Sequence, residues 1–239
     1  MYRLSVTTVE KFRRYIKSLS ARDNEEELIQ SIKGIFKGNE MTVVGEAYHK
    51  IIEGEAIVLD NGLLVELERD GAITRFFFTP EQVEPALAFR DRHPHMIHEI
   101  PVSKVYQTKY GPIELRGRVD GQEGLETEDK KCKFSPVHDQ DYIDSFQWRY
   151  YLDMLVTDTF FYDVFEVRGY QGIVSGPYDP ETGPIYQIPG ASFHAHDRIP
   201  CHRYAYLGYD CLTMLNDFLD YIELRQLWNF LKKSEVPVC

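Results

Sequence analysis

The chain lacks a long apolar run: no stretch approaches the roughly 18 residues of a membrane-spanning helix. Its start, Met1-Tyr2-Arg3-Leu4-Ser5, lacks the charged-then-apolar form of a signal peptide. These absences predict a soluble, cytoplasmic protein with no membrane partner. Cysteine is sparse, and Cys132, Cys201, Cys211 and Cys239 are widely spaced with no C-x-x-C pair. That excludes a zinc ribbon or a disulfide framework and leaves free thiols in a reducing compartment. Cations are also scarce, with 27 Lys and Arg against 38 Asp and Glu and a formal net charge of −11. A protein that simply coats nucleic acid needs clustered Lys and Arg, so that class is disfavoured. An enzyme that grips DNA locally through bound cations is not. No repeat, low-complexity tract or linker interrupts the 239 residues, a length that suits one α/β domain over 1–239 with a full hydrophobic core.

Periodicity orders the chain into segments. Thr7 or Thr8 is expected to cap a helix with Val9, Phe12 and Ile16 inward. A second helix is predicted from Asn24, with Leu28, Ile32, Ile35 and Phe36 as its stripe and a stop at Gly38. A third carries Val44, Ala47, Tyr48, Ile51 and Ile52 inward, presents His49 beside them and ends at Gly54. These form an N-terminal helical part over about residues 5–54. Strands follow at 55–59, 63–68 and 73–78, then a helix opened by Thr79-Pro80-Glu81 and running to Arg90. Strands at 96–106, 113–120 and 125–133 begin the core sheet, the last two joined across Gly121 to Gly124. From Asp141 the helical period returns with Ile143, Phe146, Tyr150, Met154 and Leu155, and Phe160 to Val167 closes a catalytic core over about residues 96–168. A hairpin or long loop is expected from Gly169 to Gly190, a strand piece over Arg203 to Tyr206, and a C-terminal helix over about 210–231.

Chemistry concentrates between Arg116 and Tyr151. Alternation in Ile113 to Asp120 places Asp120 on one strand face with Glu114, Arg116 and Arg118. In Leu125-Glu126-Thr127-Glu128-Asp129-Lys130-Lys131 two pairs qualify, Asp129 with Lys131 and Glu128 with Lys130, because residues two apart share a face. Glu126, Glu128 and Lys130 read as a solvated charged face, whereas Leu125 and Thr127 share theirs with Asp129 and Lys131, which favours the latter pair. Carboxylates on neighbouring strands supply the hard oxygen ligands that Mg²⁺ or Mn²⁺ needs to polarise a phosphodiester and acidify a bound water. A lysine on the same face orients or deprotonates that water and offsets developing negative charge. Gln147 and Tyr151 share a helical face within an apolar stripe, so the Gln147 amide needs a hydrogen-bond partner. Trp148 and Arg149 lie alongside, where core packing and solvation compete with base stacking and phosphate contact. His93, His95, His98, His194 and His196 alternate in spacing, but no thiolate or carboxylate set completes a zinc site, and they read as structural.

Taken together, five segments resemble the PD-(D/E)XK nuclease superfamily, in its RecB-like branch of phage and recombination exonucleases. Leu4 to Phe12 is similar to the opening helix, and Gly45-Glu46-Ala47-Tyr48-His49 to the G-x-x-x-H helix. Gly117-Arg118-Val119-Asp120-Gly121 resembles the first acidic strand, Glu128-Asp129-Lys130-Lys131-Cys132 the E-D-x-K-T strand, and Gln147 to Tyr151 the Q-x-x-x-Y helix. The resemblance implies a restriction-endonuclease-like α+β core, with a central mixed β-sheet flanked by helices. It implies that His49, Asp120, Asp129 and the Lys130 carbonyl hold Mg²⁺ or Mn²⁺. Lys131 would be the catalytic lysine, with Gln147 and Tyr151 shaping the site and contacting substrate. Cys132 stands where threonine is usual, and no cysteine precedes it, so no iron–sulphur cluster is expected. The implied function is a metal-dependent DNA exonuclease of phage-type replication, recombination or repair, acting on single- or double-stranded DNA in the host cytoplasm. A replication or recombination protein partner or a homo-oligomer stays open. A structure-specific endonuclease and a catalytically silent nucleic-acid-binding module of the same fold are the alternatives.

Overall fold

Strand alternation and helical periodicity resolve into two sheets in the computed structural model, which describes all residues except 22, 36–37, 70, 156, 180–182 and 234–239. The larger sheet runs β11 (Ser192–Ala195), β8 (Thr159–Arg168), β7 (Glu126–Lys133), β6 (Gly111–Glu123), β1 (Tyr2–Ser5) and β13 (Lys232–Lys233). In addition β12 (Ile199–His202) pairs with β8, and β5 (Ile97–Thr108) with β6. The pairs β1–β6 and β7–β8 are parallel and the others antiparallel, so the sheet is mixed. The smaller sheet runs β2 (Ile57–Leu59), β3 (Gly62–Arg69), β4 (Ala72–Phe78), β10 (Gly183–Gln187) and β9 (Val174–Asp179). With its flanking helices this is the mixed α+β architecture the sequence predicts, consistent with a restriction-endonuclease-like fold.

Period-two alternation along β8 explains why there are two cores. Phe160, Tyr162 and Val164 join one with α1 (Val6–Lys17), α2 (Glu25–Ile32), α6 (Gln147–Met154) and α7 (Leu207–Leu224). Phe165 and Val167 join the other with α3 (Glu40–Ile52), α4 (Pro80–Arg92) and the smaller sheet. Val44, Ala47, Tyr48, Ile51 and Ile52 are all buried, as the α3 stripe requires, and α4 opens on a full capping box between Thr79 and Gln82. Among the described residues no helix is long and apolar enough to cross a membrane.

Several expected boundaries move. The cap of α1 is Ser5, whose hydroxyl accepts the Thr8 N–H, in place of Thr7 or Thr8, and the residues before it form β1. Ile16 is exposed, because Phe12 and Val9 already fill the core side of that helix. The second helix stops at Ile32 and leaves Ile35 exposed, while Phe36, like Cys239, lies outside the described residues. The single helix expected from Asp141 is two, α5 (Asp139–Ile143) and α6, separated where the Ser145 hydroxyl accepts the Gln147 N–H. The strand piece expected over Arg203 to Tyr206 stands instead at Ile199–His202, and past it the chain turns, with the Tyr204 carbonyl accepting the Leu207 N–H and the Arg203 side chain donating to the carbonyls of Leu152, Leu155 and Thr157. The C-terminal helix is Leu207–Leu224 and not 210–231, since Gln226 at φ 55° leaves helical space and only a 3-10 turn, Trp228–Phe230, follows.

Candidate active site

Strand β7 brings the predicted residues together because it lies between β6 and β8. Its N-terminal end pairs with β6 (Gly121 opposite Glu128), and its length runs parallel to β8 (Asp129 beside Tyr162, Lys131 beside Val164). The Lys130 N–H donates to Asp120 Oδ2 at 2.8 Å, which ties the first acidic strand to the second. Gln147 Nε2 donates to Asp129 Oδ1 at 3.0 Å, so the amide that needed a partner in an apolar stripe has a carboxylate. Asp129 Oδ2 forms an ion pair with Lys131 Nζ. The Tyr151 hydroxyl lies 3.5 Å from Gln147 Nε2 and donates to the Arg118 carbonyl at 2.8 Å. Asp120, Asp129, Lys131, Gln147 and Tyr151 therefore meet from β6, β7 and α6.

His49 reaches the same locality from α3. Gly45 of that helix lies against β7, where an added Cβ would stand 3.5 Å from the Cys132 Cβ. Burial lowers the His49 imidazole to about 4, with Asp120 opposing and Lys131 and Lys130 adding to the effect, so the ring is neutral at neutral pH. Burial, and then the Asp120 carboxylate, push Asp129 upward against the pull of Lys131. Burial works to lower the Lys131 ammonium, but Asp129 and Asp120 outweigh it and hold the proton on. Lys131 is thus a donor here, suited to orienting a water or neutralising charge rather than to accepting a proton. Among the described residues no three His, Cys, Asp or Glu groups already stand in ligating geometry. The Lys131 ammonium takes the position beside Asp129 Oδ2 and offsets the charge of the two carboxylates.

The opposite face of β7 corrects the sequence reading. Glu126 is exposed, but Glu128 and Lys130 are 1% and 0% exposed, not solvated. Arg198 makes this burial tolerable: it donates to Glu128 at 3.0 Å, to Asp163 of β8 at 3.0 Å and to Glu126 at 2.8 Å, with its guanidinium 4.0 Å from the Phe161 ring centroid. Lys130 Nζ donates to the Asp120 carbonyl at 2.9 Å and lies 3.5 Å from Glu128 Oε1 and 3.3 Å from His98 Nδ1. Solvation therefore does not separate the two candidate pairs. Their partners do, since Asp129 and Lys131 face Gln147 while Glu128 and Lys130 face Arg198 and His98.

Sequence reasoning passed over Arg198 and Glu99. Glu99 stands at φ 57° where β5–β6 pairing is interrupted opposite Asp120, and its carboxylate meets Arg118 at 2.5 Å. Glu99 and Arg118 line a cavity of about 370 Å³ together with His49 and Glu53. A non-glycine residue in left-handed space beside polar groups is the only signal for it, and a sequence does not display φ. Trp148 is buried and donates to the Ile143 carbonyl, and Arg149 stacks on it and on Phe146, so both serve packing. His93 pairs with Glu123, and His196 with Asp139.

Gly117 is required by the close approach of α6. A Cβ there would stand 2.3 Å from Tyr151 Cε1, well inside contact distance. Gly117→Ala is expected to push the ring off the Arg118 carbonyl and cost about 1–3 kcal/mol, read as a lower urea midpoint. An unchanged midpoint would show that the ring yields freely.

No family model matches the chain, and no curated protein matches it in sequence. Among solved structures, the crystal structure of SSO0001 is similar over 92% of this chain and 77% of that one, with 9% sequence identity and a TM-score of 0.48. That likeness carries no argument about the site.

Proposed function

We propose that the chain is a Mg²⁺- or Mn²⁺-dependent DNA nuclease of the RecB-like branch of the PD-(D/E)XK superfamily, acting as an exonuclease in phage-type replication, recombination or repair. The observation that carries this reading is the convergence of Asp120, Asp129, Lys131 and Gln147 from three elements onto one carboxylate pair, Asp129 buried and Asp120 partly exposed. The donors fit a hard divalent cation: two carboxylates, one of them with the Lys131 ammonium at its Oδ2 in the place of a cation, and a neutral imidazole in His49 that admits Mn²⁺ alongside Mg²⁺. Asp120, Asp129, His49 and the Lys130 carbonyl would hold it. When bound, it supplies Lewis acidity toward a phosphodiester oxygen and toward a water. Gln147 keeps Asp129 oriented, and Lys131, a retained ammonium, donates to the water or to the charge that develops on the phosphate.

A second feature supports a polyanionic substrate. A pocket of about 220 Å³ is lined by Arg3, Ser5, Thr8, Ser31, Arg116 and Lys232. It sits at the N-terminus of α1, the end at which the helix dipole favours anions, and Arg116 precedes Asp120 by four residues on the same strand, about 13 Å at 3.3 Å per residue. Among the described residues no carboxylate pairs with Arg3 or Lys232.

The test is degradation of end-labelled linear and of covalently closed circular DNA with Mn²⁺. Shortening of the linear substrate alone is expected, abolished by EDTA and reduced at least about a hundred-fold by Asp129→Asn. Cutting of the circle would favour an endonuclease, binding without cutting a silent module, and activity that survives both EDTA and Asp129→Asn would end the proposal.

A further inference from the structure

Helix α6 carries Gln147 and Tyr151, yet little in its own sequence holds it. It has eight residues, no side-chain cap of its own, no acidic residue in its first turn and no basic residue in its last. A helix that short is unstable alone, and its exposed N–H and carbonyl groups need partners. The adjacent Ser145 hydroxyl accepts the Gln147 N–H at 3.1 Å, and distant charged residues supply further partners at both ends. At the start, Glu10 Oε2 of α1 accepts the Phe146 N–H at 2.8 Å across a separation of 136 residues. At the end, the Arg203 guanidinium donates to the carbonyls of Leu152, Leu155 and Thr157. Each charge has the sign that the helix dipole favours at its position.

Glu10 is itself held rigidly. Arg13 Nε lies 3.0 Å from both its oxygens, Arg13 Nη2 lies 2.7 Å from Oε1, and the two side chains are 13% and 5% exposed. The residue next to the capped Phe146 is Gln147, whose amide holds Asp129 Oδ1. The chain of contacts thus runs from Arg13 to Glu10, to the first turn of α6, to Gln147 and to Asp129. Resting on the metal-centre reading above, we infer that Glu10 is a positioning residue for that centre: its carboxylate fixes the N-terminus of α6 and so the amide that orients the Asp129 carboxylate. A capping carboxylate needed only for stability would leave the metal affinity of the folded chain unchanged.

The experiment compares the full chain with Glu10→Ala, Glu10→Asp and Glu10→Gln. Mn²⁺ binding is measured by titration calorimetry, amide exchange at Phe146 by NMR, and DNA cleavage against Mn²⁺ concentration. Removing a direct hydrogen-bond partner of a metal ligand weakens affinity roughly 10–100-fold, and Glu10 acts one contact further out, so a rise in Kd of about five-fold is expected for Glu10→Ala. Glu10→Asp keeps the charge but is one methylene too short to reach Phe146, and it should behave like Glu10→Ala. Glu10→Gln keeps an acceptor oxygen in place and should stay within about two-fold of the parent. If Glu10→Ala does not fold, the Asp and Gln variants decide the matter. The inference is overturned if the folded Ala or Asp variant exchanges faster at Phe146 yet binds Mn²⁺ like the parent. It is also overturned if Glu10→Gln loses as much as Glu10→Asp, because Arg13 and not Phe146 would then be what Glu10 serves. A parent chain that neither binds Mn²⁺ nor cuts DNA overturns the metal reading, and this inference falls with it.

Discussion

Lys131→Ala is expected to fold and melt close to the parent while cutting DNA about a thousand times more slowly, whereas Lys130→Ala is expected to lose several kcal/mol of stability. The two lysines are adjacent in sequence but lie in different surroundings. The Lys131 side chain is 37% exposed, so its ion pair with Asp129 is partly screened and contributes only about 1 kcal/mol to folding. Its removal takes away an ammonium on which both carboxylates act, and loss of a single such donor costs about 10²–10³ in rate. Lys130 is fully buried, and its Nζ serves the Asp120 carbonyl and Glu128 together. Truncating it strands Glu128 without one counter-charge and opens a cavity, a combination worth about 3–5 kcal/mol. Urea denaturation beside single-turnover cleavage separates the two effects. Full activity in Lys131→Ala with a stable but dead Lys130→Ala would move the catalytic pair to Glu128 and Lys130. Full activity in both would remove the proposed site altogether.

How much of this was legible in the chain depended on whether the cause was local. The α3 stripe and the Thr79 cap with proline after it follow from neighbours within a few residues, and they stand as the sequence predicts. The two-faced pattern expected of β7 does not, since Thr127 through Lys130 are all buried and Leu125 is exposed. What was not legible has a distant cause. Four residues before a helix give no strand signal, and β1 exists because β6 offers its edge in parallel register, Tyr2 beside Ile113. The apolar period from Asp141 continues past Ile143, and the break before α6 shows in its hydrogen bonds, the Gln147 N–H turned to Ser145 and the Phe146 N–H turned to the distant Glu10. Glu128 and Lys130 look solvated because charged residues are seldom buried unpaired, and the residue that pairs Glu128 lies 70 positions downstream. The partner of Gln147 was legible as a need and not as an identity, since burial of an amide demands an acceptor but does not say which.

Arg198→Met is expected to cost about 3 kcal/mol, or roughly 6–12 °C in Tm for a chain of this size. Arg198 is three-quarters buried and donates to Glu128 and Asp163, which are 2% and 5% exposed at their side chains. Its third partner, Glu126, is half exposed and adds little. Methionine keeps most of the volume over Phe161 but leaves two buried carboxylates facing each other, each with one oxygen that already lacks a hydrogen bond among the described residues. Their mutual repulsion shows in Glu128, which burial and then Asp163 push upward even with the arginine in place. Neutralising Asp163 as well, as Asp163→Asn with Arg198→Met, should recover much of the loss, because Glu128 then keeps Lys130 as its counter-charge and no longer faces a second carboxylate. Urea denaturation of the single and double variants measures this directly. A single variant within 1 kcal/mol of the parent would mean that water or a proton already neutralises the pair, and the double variant would then show no recovery. If the loss is as large as expected, the consequence extends to the other face of the strand. Arg198 bridges β7 and β8, and the same parallel register that sets Glu128 beside Phe161 sets Asp129 beside Tyr162. The ionic cluster behind the strand would then fix the position of the carboxylate in front of it.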